Sequence, residues 1–243
     1  MLKQSIRKAF NTIGFDLVRM SKSPRHSLLG LRHLPIRTII DVGGNTGQFA
    51  RMISSIFPEA HIYSFEPLGK PFKQLKEWAK ADRIGKITCY NLGLGDSEDI
   101  LEMFNHIEHS PSSSFLKTTQ LCESFYPFTQ KHVSVPVKLT TLDKWAKRLA
   151  SPLKPEILIK LDVQGYEDRV IRGGQETFDI AKACILEVNI VNLYERQATF
   201  KDITTLLYEL DFCYAGNLNQ RYADDGHVIY IDAVFVKSKS ISL

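Results

Sequence analysis

Carboxylates recur at one kind of place in this 243-residue sequence. Glu66, Asp96, Asp162 and Glu187 each stand at the end of a short apolar run, and Asp41 opens a glycine cluster in IIDVGGNTGQFARMI. Such groups can accept hydrogen bonds from hydroxyls, sit beside a cation or take up a proton. A strand-to-helix turn needs one residue of positive φ, which Gly or Asn supplies. Gly43, Gly44, Asn45 and Gly47 together exceed that need, so the loop is expected to hold a ligand. A dinucleotide loop requires G-x-G-x-x-G, and a phosphate loop requires a Lys after its last glycine. Aligned on Gly43, this loop has Asn45 and Gln48 where glycines should stand, and no Lys follows Gly47.

The elements that must position these residues alternate. RTIIDVG reads as a buried strand, TGQFARMISSIF as a helix, AHIYSFEP as a second strand ended by Pro67, and KPFKQLKEWAKAD as a second helix. A third strand follows in GKITCYNLGLGD. The rhythm then lapses over about residues 97–140, where serines and aromatics show no clear period; an insertion of this length is usually functional or disordered. It resumes with TTLDKWAKRLA, EILIKLDVQG, YEDRVIRGG and ACILEVNI, then FKDITTLLYEL and a terminal antiparallel pair. This order implies an α/β fold, a Rossmann-like, mostly parallel seven-stranded sheet with a C-terminal antiparallel hairpin, whose ligands bind at the carboxyl ends of the strands. The acidic residues lie at those ends.

Composition limits the rest. No run approaches the roughly 18 to 20 apolar residues of a membrane span, and the four cysteines, Cys89, Cys122, Cys184 and Cys213, form no CxxC pair. Zinc sites and disulfide frameworks are therefore disfavoured, no metal ligands are assigned, and a cytoplasmic location is expected. Residues 1–40 carry eight Lys or Arg against Asp16, a net +7, which leaves −3 of the overall +4 for the remainder. With Leu2, Ile6, Phe10 and Ile13 at helical spacing, residues 1–36 read as a basic amphipathic arm before a domain at 37–243. The arm's apolar face is open to burial on the domain, a homodimer contact or peripheral membrane contact. No aromatic-basic motif accompanies the charge, so nucleic acid is not an expected partner.

An aspartate at the loop start would repel a pyrophosphate but suits a ligand with an ammonium and a sulfonium. Backbone N–H groups of Gly44–Gly47 can meet a carboxylate, and Glu66 can accept from two ribose hydroxyls. S-adenosyl-L-methionine carries all of these groups. The segments IDVGGNTGQFA, YSFEP, NLGLGD, TLDKW, IKLDVQGYEDRVIRGG and ILEV resemble, in order and spacing, those of FkbM-type methyltransferases over about residues 38–215. The resemblance implies a class I fold that moves a methyl from S-adenosylmethionine to a hydroxyl of a sugar, glycan or natural product. It places Asp41, Gly43, Gly44, Asn45 and Gly47 at the methionine part, Glu66 with Pro67 at the ribose, Gly95 and Asp96 at the adenine, and Asp162 near the transferred methyl.

A hydroxyl is a poor nucleophile near neutral pH, so a general base is expected. Asp162 is the first candidate and Glu187 the second. Asp162 could instead cap the helix that follows it. His106, His109 and His132 are weaker alternatives within the insertion, and Asp162 with Glu187 and Asn189 resembles an oxygen-ligand set for Mg²⁺. A non-catalytic nucleoside-binding protein or a nucleotide-dependent oxidoreductase is the alternative reading, the latter disfavoured by Asn45 and Gln48.

Overall fold

The computed structural model describes residues 2–15, 17, 19–20, 23–81 and 86–238, with side chains from residue 6 onward. Helix α1 (Leu2–Thr12) and the short α2 (Pro24–Ser27) precede β1 (Thr38–Val42), α3 (Gln48–Ile56), β2 (His61–Phe65), α4 (Gly69–Ala81) and β3 (Ile87–Tyr90). Then come β4 (Gly93–Gly95), β5 (Asp99–His106), α5 (Gln120–Phe125), β6 (His132–Thr141) and α6 (Leu142–Lys147). The chain continues through β7 (Ile157–Leu161), α7 (Glu167–Arg172), α8 (Gln175–Ile180), β8 (Ala181–Asn189), α9 (Phe200–Glu209), β9 (Phe212–Tyr222) and β10 (Val228–Lys237).

The main sheet runs β3-β2-β1-β7-β8-β10-β9, with β10 antiparallel to both of its neighbours. Every residue of β1 is buried, because the sheet is covered on both faces. One face packs Ile39, Leu158, Ile185 and Val234 under α3. The other packs Ile40, Ile159, Leu186 and Phe235 under the helices that follow β6 and β8. Hydroxyls of Thr141 and Thr199 accept from backbone N–H groups to cap α6 and α9, which sets where both helices begin. This is the expected doubly wound architecture, and β1 meets β7 where the strand order reverses.

Two expectations meet a different outcome. Residues 97–140 are irregular only in part: all of β5 pairs antiparallel with His132–Leu139 of β6, and β4 joins them in a second, three-stranded sheet. Nor does the segment before β1 stand apart from the core. Leu28, Leu31 and Ile36 are buried against α3 and β10, ahead of the boundary expected at residue 36. The apolar face of α1, by contrast, is open, with Ile6 44%, Phe10 40% and Ile13 67% exposed. Among the described residues no helix is long and apolar enough to cross a membrane.

Candidate active site

The glycines of the first loop are required by what packs against them. Gly43 has φ +83°, and a Cβ there would fall 1.9 Å from the backbone oxygen of Asp162. A Cβ on Gly44 would fall 2.2 Å from Ser64 Oγ, and one on Gly47 (φ +93°) 3.0 Å from Leu75. The N–H groups expected to meet a ligand carboxylate are mostly taken within the fold. Gly43 and Gly44 donate to the Phe65 carbonyl at 3.0 and 2.8 Å, and Gly47 donates to the Gly44 carbonyl at 2.7 Å. Asn45 N–H donates to Glu66 Oε2 at 2.9 Å, and Thr46 N–H to Asn45 Oδ1 at 2.8 Å. The N-terminal turn of α3 remains, with Gln48 and Phe49 on the cleft wall and no side-chain cap at Gly47.

Glu66 is 4% exposed and also accepts the Leu68 N–H, at 2.8 Å. Burial raises its carboxyl to about 7; the two N–H donors oppose the shift, and the Asp41 and Asp162 carboxylates add to it. A carboxylate has about four acceptor positions, so two remain for ligand hydroxyls. Asp41 lies beneath the loop, outside the cleft wall, where one oxygen accepts from Ser64 Oγ at 2.7 Å. Its burial raises the carboxyl, opposed chiefly by the charge of Lys160.

The opposite wall is acidic and built from side chains. The Lys160 ammonium donates to Asp162 Oδ2 at 2.8 Å and lies 5.4 Å from the centre of the Phe49 ring. Burial pulls that ammonium down, but Asp162 and Asp41 outweigh it and the net effect is upward. Gln164 Nε2 donates to Asp162 Oδ1 at 2.8 Å and to Glu187 Oε1 at 2.6 Å. Asp162 is thus no helix cap; Glu167 instead accepts the N–H groups of Val163 and Gly165. Glu187 is held well above the usual carboxylate range by burial, then by the Asp162 and Asp232 charges. Asp232 is its cross-strand partner on β10 and is likewise raised, first by burial and then by Asp162.

A single cleft of about 450 Å³ joins the two walls. Gly43, Gly44, Asn45, Glu66 and Pro67 line one side; Lys160, Asp162, Glu187, Tyr230 and Asp232 line the other. An apolar end is made by Leu92, Leu94, Met103, Phe115 and Val163. Gly47, Gly95 and Asp96 lie outside the wall. Gly95 packs against Tyr166 and Leu139, and Asp96 is exposed past the end of β4. Asn189 is also off the wall, with its amide on Gln197, so the three oxygen ligands considered for Mg²⁺ are not brought together.

The insertion closes over the cleft. Asn45 Nδ2 donates to Ser110 Oγ at 3.1 Å, and Ser114 Oγ donates to the Gln164 carbonyl at 2.7 Å. Phe115 reaches the wall, whereas Phe125 and Tyr126 pack on Leu193 and Tyr194, and Phe128 lies against His109. His106 is buried within the insertion, and His106, His109 and His132 are all off the wall. Sequence reading missed Lys160, although a lone charge in the apolar strand ILIKL marks it; Arg25, Tyr230 and Asp232 carry no comparable mark.

Comparisons with known proteins bear on the family and the fold. The methyltransferase FkbM domain profile matches residues 41–214. The chain is 28% identical to the 2-O-methyltransferase NoeI of Sinorhizobium fredii (strain NBRC 101917 / NGR234), covering 74% of each chain. Its fold is similar to the crystal structure of methyltransferase FkbM from Methylobacillus flagellatus KT, with a TM-score of 0.52 at 12% identity. That match covers 83% of this chain and 44% of the other, so this chain spans less than half of that structure.

Proposed function

The chain belongs to the FkbM methyltransferase family, and we propose that it transfers a methyl group from S-adenosylmethionine to a hydroxyl of a sugar or glycan. The observation that carries this reading is the single cleft. It sets Glu66 and an apolar end on one side against Asp162 and Glu187 on the other. The residues fit the cofactor: Glu66 has acceptor positions left for ribose hydroxyls, and Leu92, Leu94, Met103 and Phe115 offer an apolar slot for a flat base. Asp162 and Glu187 suit the neighbourhood of a cation. Asp41, Gly47 and Gly95 then support the site from behind it.

When bound, the cofactor supplies an electrophilic methyl on a sulfonium. The protein's part is to align a hydroxyl with that methyl, which is worth much of the barrier in a displacement, and to take the hydroxyl proton. Glu187 suits the second task better than Asp162. Asp162 is paired with the Lys160 ammonium and accepts from Gln164 on its other oxygen, whereas Glu187 accepts from Gln164 on one oxygen and burial raises its proton affinity. The sugar preference rests on the 2-O-methyltransferase relative and on the polar acceptor side of the cleft, which holds Asp232 and Asn219.

The test is calorimetry with S-adenosylmethionine and NAD, then methyl-labelled cofactor with a panel of saccharides. NAD binding without S-adenosylmethionine binding, or label found on nitrogen, would overturn the reading. In this reading the enzyme works in the cytoplasm, where four unpaired cysteines are at home. The basic arm with its open face of Ile6, Phe10 and Ile13 matches an anionic membrane surface. Flotation with anionic but not neutral vesicles is expected, and self-association without flotation would overturn it.

A further inference from the structure

Gln164 stands between the two acids in a backbone conformation that favours glycine, with φ 56°. Left-handed residues of this kind persist where the surroundings over-determine them, often at working sites. Here four contacts do so. The side-chain nitrogen reaches Asp162 and Glu187 at 2.8 and 2.6 Å. The side-chain oxygen accepts from the Tyr194 hydroxyl at 2.7 Å, and the carbonyl accepts from Ser114 Oγ at 2.7 Å.

These contacts orient the amide. Tyr194 is buried, and burial holds its phenol protonated far above the ordinary range, so it remains a donor. With a donor fixed on Oε1, Nε2 must face the two carboxylates. The same hydroxyl lies 3.0 Å from the Ser112 carbonyl, a second acceptor within the insertion. One side chain therefore connects the end of β7, the end of β8 and the segment that closes the cleft. Without it, Glu187 would face the carboxylates of Asp162, Asp232 and Glu167 and the phenols of Tyr126, Tyr194 and Tyr230. The cations on that side are Lys160, Arg25 near Asp232, and Arg221 near Tyr126 and Tyr230.

We propose that Gln164 is a positioning residue: its amide fixes the spacing and the sharing of protons between Asp162 and Glu187, and links that pair to the insertion through Tyr194. The proposal rests on the reading of Glu187 as proton acceptor, but the titration that tests it needs neither methyl acceptor nor cofactor. Protein labelled with ¹³C at glutamate carboxyls is titrated by NMR, with Glu187→Gln assigning the signal. Gln164→Leu removes a donor to the carboxylate, which disfavours the charged form, so the Glu187 midpoint should rise by about one pH unit. Gln164→Glu adds a like charge as well and should raise it further. Tyr194→Phe, which keeps shape, should move it less and in the same direction.

Affinity for S-adenosylhomocysteine should stay within about threefold in all three variants, because this product carries no sulfonium for Asp162 and Glu187 to face and the amide makes no bond to Glu66. An unmoved midpoint in both folded Gln164→Leu and Tyr194→Phe proteins overturns the proposal. A midpoint that moves as stated, in a protein whose methyl transfer survives Glu187→Gln, leaves the clamp standing and removes the base assignment instead.

Discussion

The two walls of the cleft are made by different means. On the glycine side, position comes from backbone: Gly43, Gly44 and Gly47 donate to main-chain carbonyls, and no Cβ fits at Gly43 or Gly44. On the acidic side, position comes from side chains that converge from β7, β8 and the loop after each, through Lys160, Gln164, Glu187 and Tyr194. A backbone wall is sensitive to volume and indifferent to charge. A side-chain wall is the reverse, because its members balance one another electrostatically.

Substitutions can break that contrast. The largest effect is expected from Gly43→Ala, which combines a positive φ with a 1.9 Å approach to the Asp162 oxygen. It should cost about 3–5 kcal/mol in denaturant unfolding, the range of severe packing and backbone defects. The matching change on the acidic wall, Glu187→Gln, should leave stability equal or higher, because a buried acid becomes neutral. Its methyl transfer should fall by about 10²–10⁴-fold, the scale of a lost general base. Equal damage to fold and rate in either variant would erase the distinction between the walls.

Glu66 belongs to both types, a side chain bound to backbone. Glu66→Gln should weaken cofactor binding by about 1.5–3 kcal/mol in calorimetry. Wild-type binding should tighten as pH rises through about 7, where the carboxyl ionises, and the variant should lose that dependence. A smaller effect is on stability. Glu66 and Glu167 are raised from 4.5 to about 7, so between those values the folded state binds protons that the unfolded state has released. Unfolding free energy should therefore fall from about pH 4.5 to about pH 7 and then level, and Glu167→Gln should shallow the fall. The smallest effect is expected from deleting residues 1–20, within about 0.5 kcal/mol, since it spares the buried Leu28 and Leu31. A deletion through residue 31 should destabilise measurably.

The order of strands and helices was legible because each carries its own period, and the loop after β1 announces itself by composition. Asp162, Glu187 and Glu66 follow from that order, as strand ends that share one side of the sheet. The insertion was not legible as sheet. Val133, Val135, Val137 and Leu139 do alternate, but Pro136 interrupts the run, and the partner strand β5 mixes exposed and buried positions without a clean period. Asp96 lies off the cleft wall for a related reason: it follows β4, which pairs with β6 in the second sheet. The roles of the loop N–H groups depend on Phe65 and Glu66, which lie on another strand, and no local pattern reveals such partners.

The place of β1 in the sheet bears on how the chain comes to fold. Thr38 pairs with His61 on one side but with Ile157 on the other, 119 positions later. At a synthesis rate of about 5–20 residues per second, β1 leaves the ribosome about 6–24 s before its second partner. During that interval one edge of an all-buried strand has no neighbour, the situation in which nascent sheets adhere to one another. Asp41 is the fourth of that strand's five residues and is ionised while solvated, because what raises its carboxyl, burial and then the Asp162 charge, arises only in the folded protein. A charge that would be costly in the finished core thus protects the unfinished one, in the manner of a gatekeeper residue.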